Sequence, residues 1–343
     1  MSGNRVVPAE FEDDVRRLRD DEGLSWGEIS DRLGQKKEAV RSAYRRKGRR
    51  EGFMVRGIMP GAGVMTPDEL WDGVIGRQEK LEKRERVIRR SQCVRIREPG
   101  LPFALAMLSD LHIGDAGTDY VSLRRDAEII RDTPGLFAEY HGDGINNWIT
   151  GKLAHLERDE VLPFDDEMQL FCDWLGMLKG KLVLVVSGNH ENWTRWLSGI
   201  DLVKNVLGQA KCLYDRNEVL FDLRHGANSW TVKVRHAWKY SSVFNDTHGI
   251  EVGWERGGVK FDIGIGGHVH RATVCRPFYR QGQKLYAVLV GTYKVEDPFG
   301  RQIGVARPNG RGCGAMLFYP DGRSAFFEDL ETCADFLTWL RRQ

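Results

Sequence analysis

The sequence has no C-x-x-C pair. Its six cysteines, Cys93, Cys172, Cys212, Cys275, Cys313 and Cys333, are scattered through 343 residues. That spacing supports neither a zinc knuckle nor a small disulfide scaffold, and reduced thiols of a cytosolic protein are expected instead. No run nears the ~18 apolar residues of a membrane span. The polar, acidic N-terminus lacks the apolar core of a signal peptide. These two absences point to a cytoplasmic protein without a membrane partner. No repeat or low-complexity segment stands out. Charge of one sign is also missing, since the net charge is only +2. Its distribution is uneven, however. Residues 1–100 carry 23 Lys and Arg against 18 Asp and Glu, and the rest carries 28 against 31, so the basic excess is N-terminal.

What is present begins with three short helical patterns in residues 9–50. The first, Glu10 to Arg19, places Phe11, Val15 and Leu18 on one face. Ser25-Trp-Gly-Glu28 is a capping-box pattern opening a second helix, which ends at Leu33 before Gly34. The third runs from about Lys36 to Lys47. It turns Val40, Ala43 and Tyr44 inward and leaves Lys36, Lys37, Arg41, Arg45, Arg46 and Lys47 outside. Two short helices joined by a tight turn, the second strongly basic, resemble a helix-turn-helix. DNA is therefore the expected partner of residues 1–50, through phosphate contacts. The alternative is a solvated basic helix in a protein–protein module. A Gly-rich linker and a helix opened by Thr66-Pro-Asp-Glu69 fill residues 51–93.

From about residue 94 to 320 strands alternate with helices and long loops, as in stacked sheets with helices outside. The apolar run Phe103–Leu108 reads as a buried strand and ends in Asp110-Leu-His112. Phe137–Tyr140 ends in His141-Gly-Asp143-Gly-Ile-Asn146. Lys181–Val186 ends in Ser187-Gly-Asn189-His190-Glu191. Trp230–Arg235 leads into His236, and Phe261–Ile265 into Gly266-Gly-His268-Val-His270. Carboxylate, amide and imidazole donors thus sit just past strand ends, where α/β proteins place ligands and catalysis. Random core placement does not account for five of nine histidines, His112, His190, His236, His268 and His270, in such motifs. His225, in a hairpin-turn sequence, is expected to be structural. His141 and His155 are expected at the surface or beside a ligand. Residues 321–343 are taken as a C-terminal tail that is helical.

In this order, D-x-H, G-D, G-N-H-E, a lone His and G-H-x-H resemble the calcineurin-like metallophosphoesterase superfamily, over about residues 100–320. The longer likeness is to bacteriophage and prophage members. It is carried by Ser109-Asp-Leu-His-Ile-Gly, by Arg235-His236 followed by Asn245-x-x-His248-Gly, and by Gly291-Thr-Tyr-Lys-Val-Glu-Asp297. A bacterial or phage-infected cell is the setting this implies. The resemblance implies a four-layer α/β/β/α sandwich behind the small all-α domain. It implies two divalent metal ions, Mn²⁺ favoured and Fe or Zn possible. One would take Asp110, His112 and His270, the other Asn189, His236 and His268, with Asp143 between them. A metal-activated hydroxide would attack the phosphoester. His190 would protonate the leaving oxygen, with Asp143 also essential to catalysis. Asn245 and His248 are candidates for support behind the ligands or for phosphate contact.

One departure concerns Asn146, which stands where many family members carry a second carboxylate. Asn146-Asn147-Trp148 also replaces the Asp-Arg-Gly of the protein phosphatase branch, which argues against a dedicated phosphoprotein phosphatase. Asn146 is kept as a candidate support or substrate residue. The metal set joined to a basic helix points to a DNA phosphodiesterase or nuclease. The rivals are a phosphomonoesterase or nucleotide phosphatase tethered by its N-terminal module, and a DNA-binding or assembly protein whose metal site is idle.

Overall fold

Strand β2, Phe103–Leu108, is buried along its whole length, and its alternate residues face two different cores. Phe103, Leu105 and Met107 belong to one apolar cluster, and Ala104, Ala106 and Leu108 to another. That is the period-two pattern of a strand covered on both faces. The computed structural model containing it describes residues 9–50, 66–149, 160–208, 210–295 and 312–343. The chain divides into two units, Met1–Lys80 and Leu81–Gln343.

In the first unit, helix α1, Ala9–Arg16, runs on into a π-helical turn at Arg17–Asp21. Helices α2, Trp26–Leu33, and α3, Lys37–Arg50, follow. Ser25 and Glu28 form the expected capping box, and Gly34 takes the left-handed position past α2. Val15, Leu18, Ile29, Val40 and Ala43 make the core. Lys36, Lys37, Arg41 and Arg45 are exposed; the side chains of Arg46 and Lys47 lie outside the described residues. The 51–65 linker lies outside them too. Helix α4, Pro67–Ser91, opens on a Thr66–Glu69 box.

The second unit holds two six-stranded sheets. One runs β12 (Ser324–Phe327), β11 (Cys313–Phe318), β2, β3 (Leu136–Tyr140), β4 (Leu182–Val186), β5 (Leu213–Asp215). The other runs β1 (Cys93–Ile96), β6 (Glu218–His225), β7 (Asn228–Arg235), β8 (Ile263–Gly266), β10 (Gln283–Leu289), β9 (Val274–Arg280). Phe103, Leu105, Met107 and Phe318 of the first meet Phe221, Val232, Ile263 and Val288 of the second. Outside the first sheet pack α5 (Tyr120–Asp132), α6 (Phe164–Met177) and α10 (Leu330–Leu340), through Leu123, Phe171, Trp174 and Leu337. Outside the second packs α9 (His248–Arg256), through Ile250 and Trp254. The unit is therefore an α/β/β/α sandwich.

The expected C-terminal helix is present as α10, and residues 321–343 are more than an appended tail. By sequence 321–343 count as a tail, yet β12 pairs with β11, and Leu330, Cys333, Ala334 and Leu337 are core residues of an outer layer. The tail is part of the domain because its apolar face has nowhere else to be buried. His225 ends β6 buried, with Nε2 on the Glu98 carbonyl at 3.0 Å and its ring on Phe103, a structural role as expected. The six cysteines are free. No described helix is long and apolar enough to cross a membrane.

Candidate metal centre

β2, β3 and β4 are parallel, as are β7 and β8, so the C-terminal ends of each set face one way. The turns past them interlock. Asp110 N–H donates to the Gly142 carbonyl at 2.9 Å and His112 N–H to the Asp143 carbonyl at 3.0 Å. The two sheets are laced together by His236 Nδ1 on the His141 carbonyl at 2.8 Å and by the His268 N–H on Asp110 Oδ2 at 2.8 Å.

Two donor groups result. In one, His270 Nε2 lies 3.1 Å from Asp110 Oδ1 and 2.9 Å from His112 Nε2. In the other, His236 Nε2 lies 3.1 Å from each of Asn189 Oδ1, His268 Nδ1 and Asp143 Oδ2. Asp143 joins a cluster with His112 and His190 and another with His236 and His268, so it stands between the groups. All seven candidate ligands converge, and His190 Nε2 is 3.8 Å from Asp143 Oδ2.

These donors fit metal cations by three independent features. The first is tautomer. His112 Nδ1 donates to Asn146 Oδ1 at 2.7 Å, and His236 Nδ1 to a carbonyl, so each ring in its neutral form aims an Nε2 lone pair at the cluster, that of His236 once the proton it holds against Asp143 is expelled. The second is an under-satisfied carboxylate oxygen. Asp110 Oδ2 takes hydrogen bonds from Ser109 Oγ and His268 N, while the buried Oδ1 takes none and has another candidate ligand atom, His270 Nε2, beside it at 3.1 Å. The third is backbone strain. Asp110, His112, Asp143, His268 and His270 all have φ between 49° and 73°. Left-handed backbone at non-glycine residues costs about 1–3 kcal/mol each and collects at functional sites. Here it folds each turn sharply enough to aim the side chain at one spot.

Two motif glycines are required by the same crowding. A Cβ at Gly188 would land on Asp143 Oδ1, and one at Gly267 would lie 2.5 Å from Asp110 Oδ2. Electrostatics agree with the geometry. Burial raises the Asp143 pKa, but the facing His236 and His190 outweigh it and hold the carboxyl well below its usual range. Burial lowers His236, yet Asp143 wins and pushes it up to about 10. His112 is held well below the ordinary histidine value, by burial first and then by His270. His190 is lowered by burial against the pull of Asp143.

Support residues extend the set. Asn146 Nδ2 donates to Asp115 Oδ2 at 2.9 Å and to Glu160 Oε1 at 2.7 Å, which fixes its amide with Oδ1 toward His112. Asp115 is itself paired with buried Lys294 at 2.7 Å. Neither Asp115 nor Lys294 is assigned this role by sequence. Glu191, part of a recognised motif but assigned no task, accepts backbone N–H bonds from Asp143, Gly144 and Gly188, fastening one ligand turn to the next. Its place at N3 of α7, Asn189–Ser198, which precedes α8, Leu202–Leu207, was the available signal. His141, expected at the surface or beside a ligand, is fully buried, with Nδ1 on Glu139 at 3.0 Å and its carbonyl holding His236. Asn245 bonds instead to Thr247, Glu251 and Arg276, and His248 opens α9 with its N–H on the Asn245 carbonyl. Those partners lie at the start of α9 and in β9, and none of them is one of the donors. His155 lies outside the described residues.

No family model matches the chain, and no curated protein does. Among solved structures the chain is similar to the calcineurin-like phosphoesterase YfkN from Bacillus subtilis, at 12% identity over 71% of this chain and 100% of that one, with a TM-score of 0.35. It is similar to Vps29 of Chaetomium thermophilum at 10% identity, over 65% of this chain and 93% of that one, TM-score 0.32. The nuclease MPE of Pseudomonas putida matches at 12% identity, over 65% and 86%, TM-score 0.30. At such identities and scores nothing about chemistry transfers, and the site stands on its own geometry.

Proposed function

We propose that this chain is a calcineurin-like, two-metal phosphoesterase that cleaves phosphodiester bonds in nucleic acid, DNA in the first instance. The observation that carries the proposal is a pair of donor groups sharing one ionised carboxylate, Asp143. Asp110, His112 and His270 would hold one cation, and Asn189, His236 and His268 the other. The mixed oxygen and nitrogen donors suit Mn²⁺, with Fe or Zn as alternatives. Such a pair, when bound, supplies charge to the phosphate oxygens and brings water's pKa toward neutrality.

The chain's own residues do the rest. Asn146 and the His141 carbonyl keep His112 and His236 in the ligand tautomer. His190 is locked through Nδ1 to the Asn146 carbonyl, which leaves Nε2 as its reactive atom. To serve the leaving oxygen it must first take up a proton there. The nearby Asp143 carboxylate favours that uptake, and burial opposes it. Trp148 and Trp193, with ring centroids 4.9 and 4.1 Å from that of His190, screen it from bulk water. The DNA part of the proposal is supported by the exposed Lys36, Lys37, Arg41 and Arg45 on a separate unit.

The test is a substrate panel with metal analysis on one sample. Purified protein with Mn²⁺ is given bis-p-nitrophenyl phosphate, p-nitrophenyl phosphate, and single- and double-stranded DNA. Diester turnover that Asp143→Ala abolishes is expected. Monoester turnover without diester turnover would sink the nuclease assignment, and bound metal with no turnover would mark the site as idle.

A further inference from the structure

Exposed aromatic side chains occur in two segments, each continuous in sequence with a donor. In the first, α7 begins with Asn189 and His190. Trp193 and Trp196 follow Asn189 at i+4 and i+7, so they continue its face of the helix away from the cluster. Trp193 packs on His190 and Trp148, and Trp196 is 69% exposed. In the second, the stretch after His236 carries Tyr240 and Phe244, the latter 96% exposed. This segment is tied back to the cluster by Arg271, next to His270, whose Nη1 donates to the Ser242 carbonyl at 3.0 Å. Each patch has its own cation. Arg195 adjoins Trp196 and Lys239 adjoins Tyr240, and neither makes an ion pair among the described residues.

Water-exposed tryptophan and phenylalanine beside a polar site call for an occupant. That occupant must bring an anion to the donors, flat apolar faces to the rings, and further anions to Arg195 and Lys239. A nucleic-acid strand with unpaired bases has all three. In a duplex the base faces are already stacked on each other and are out of reach of the rings. We infer that the site takes single-stranded nucleic acid, with bases on either side of the scissile phosphate stacked on Trp193–Trp196 and on Tyr240–Phe244. This rests on the phosphodiesterase proposal and names the substrate class within it.

Trp196→Ala, Trp196→Phe and Phe244→Ala change exposed side chains outside the donor set, so folding is retained. The full chain is mixed with an oligonucleotide of about 12 residues carrying 2-aminopurine, single-stranded or annealed, and fluorescence quenching is titrated. Stacking predicts quenching of the single strand only. It also predicts that Trp196→Ala and Phe244→Ala each weaken single-strand affinity by about tenfold, while Trp196→Phe keeps most of it. Turnover of bis-p-nitrophenyl phosphate, which has no base, stays at the wild-type rate. Unchanged affinity in both alanine variants would overturn the inference, as would equal quenching of duplex and single strand. If the wild type fails to turn over the diester, the phosphodiesterase proposal falls, and the quenching titration still decides the stacking.

Discussion

Replacing Asn146 with alanine removes three hydrogen bonds at once and tests how the site controls its own ligands. The first loss is the acceptor at 2.7 Å that holds the proton on His112 Nδ1. Without it the two tautomers compete, and the one protonated at Nε2 cannot bind a cation. Partners of this kind are worth about 10- to 100-fold in metal affinity, or about 1.4–2.7 kcal/mol. The other losses are the donors to Asp115 and Glu160. Asp115 keeps Lys294 and the Gly117 N–H, so it is not stranded. Glu160 already has a raised pKa, from burial first, and can take up a proton, so the metal-free fold loses only about 1–2 kcal/mol. Asn146→Asp separates the effects. It restores an acceptor to His112 but sets a third carboxylate against Asp115 and Glu160. Manganese titration by calorimetry, beside thermal melts in chelator, is the assay. Tautomer control predicts weak binding in the alanine variant and near-normal binding in the aspartate variant, although the latter is the less stable protein. Equal losses in both, or alanine affinity within about threefold of wild type, would refute it.

Three further outcomes follow from the same structure. Leu337→Ala should destabilise the sandwich by about 2–5 kcal/mol in urea melts, and a chain ending at Pro320 should fail to fold; a cooperative melt of that truncation would show α10 to be dispensable. Because His236 is raised from 6.5 to about 10 in the folded chain, its contribution to metal-free stability is complete below about 6.5 and is lost as pH climbs toward 10. A cation binding near neutral pH must expel that proton, so calorimetry in buffers of different ionisation heat should show about one proton released per chain; none released would contradict the pairing with Asp143. Arg41→Ala combined with Arg45→Ala should weaken DNA binding and flatten its salt slope by about 2, read by fluorescence anisotropy, and an unchanged slope would remove α3 from the contact.

Much of this was legible before any coordinates, for a physical reason. Metal donors are few in type, and α/β folds display them past strand ends, so Asp110, Asp143, Asn189, His236 and His268 mark five strand ends in the bare sequence. The α/β sandwich was legible from the same alternation of buried runs and helices. The order of the strands was not. β11 lies antiparallel beside β2 although some 200 positions separate them, a pairing set by long-range burial that no local pattern encodes. β5 and β12 are short and half-exposed and show no period. α7 was hidden because its polar sequence, Asn189–Ser198, begins inside a metal motif. Asp115 and Lys294 act through neighbours, so no residue pattern assigns them a task, although Lys294 lies inside the Gly291–Asp297 motif.

The lacing of the two sheets at the donor cluster has a consequence for the chain as a polymer. Asp110, His112, Asp143 and Asn189 come from the turns of one sheet, and His236, His268 and His270 from those of the other. His112 and His270 are 158 positions apart, yet their ring nitrogens nearly touch. A cation held by both would be a removable cross-link closing a loop nearly half the length of the molecule. In a protein whose cysteines are all free, it would take the place of a disulfide, opened by chelation or acid instead of by reduction.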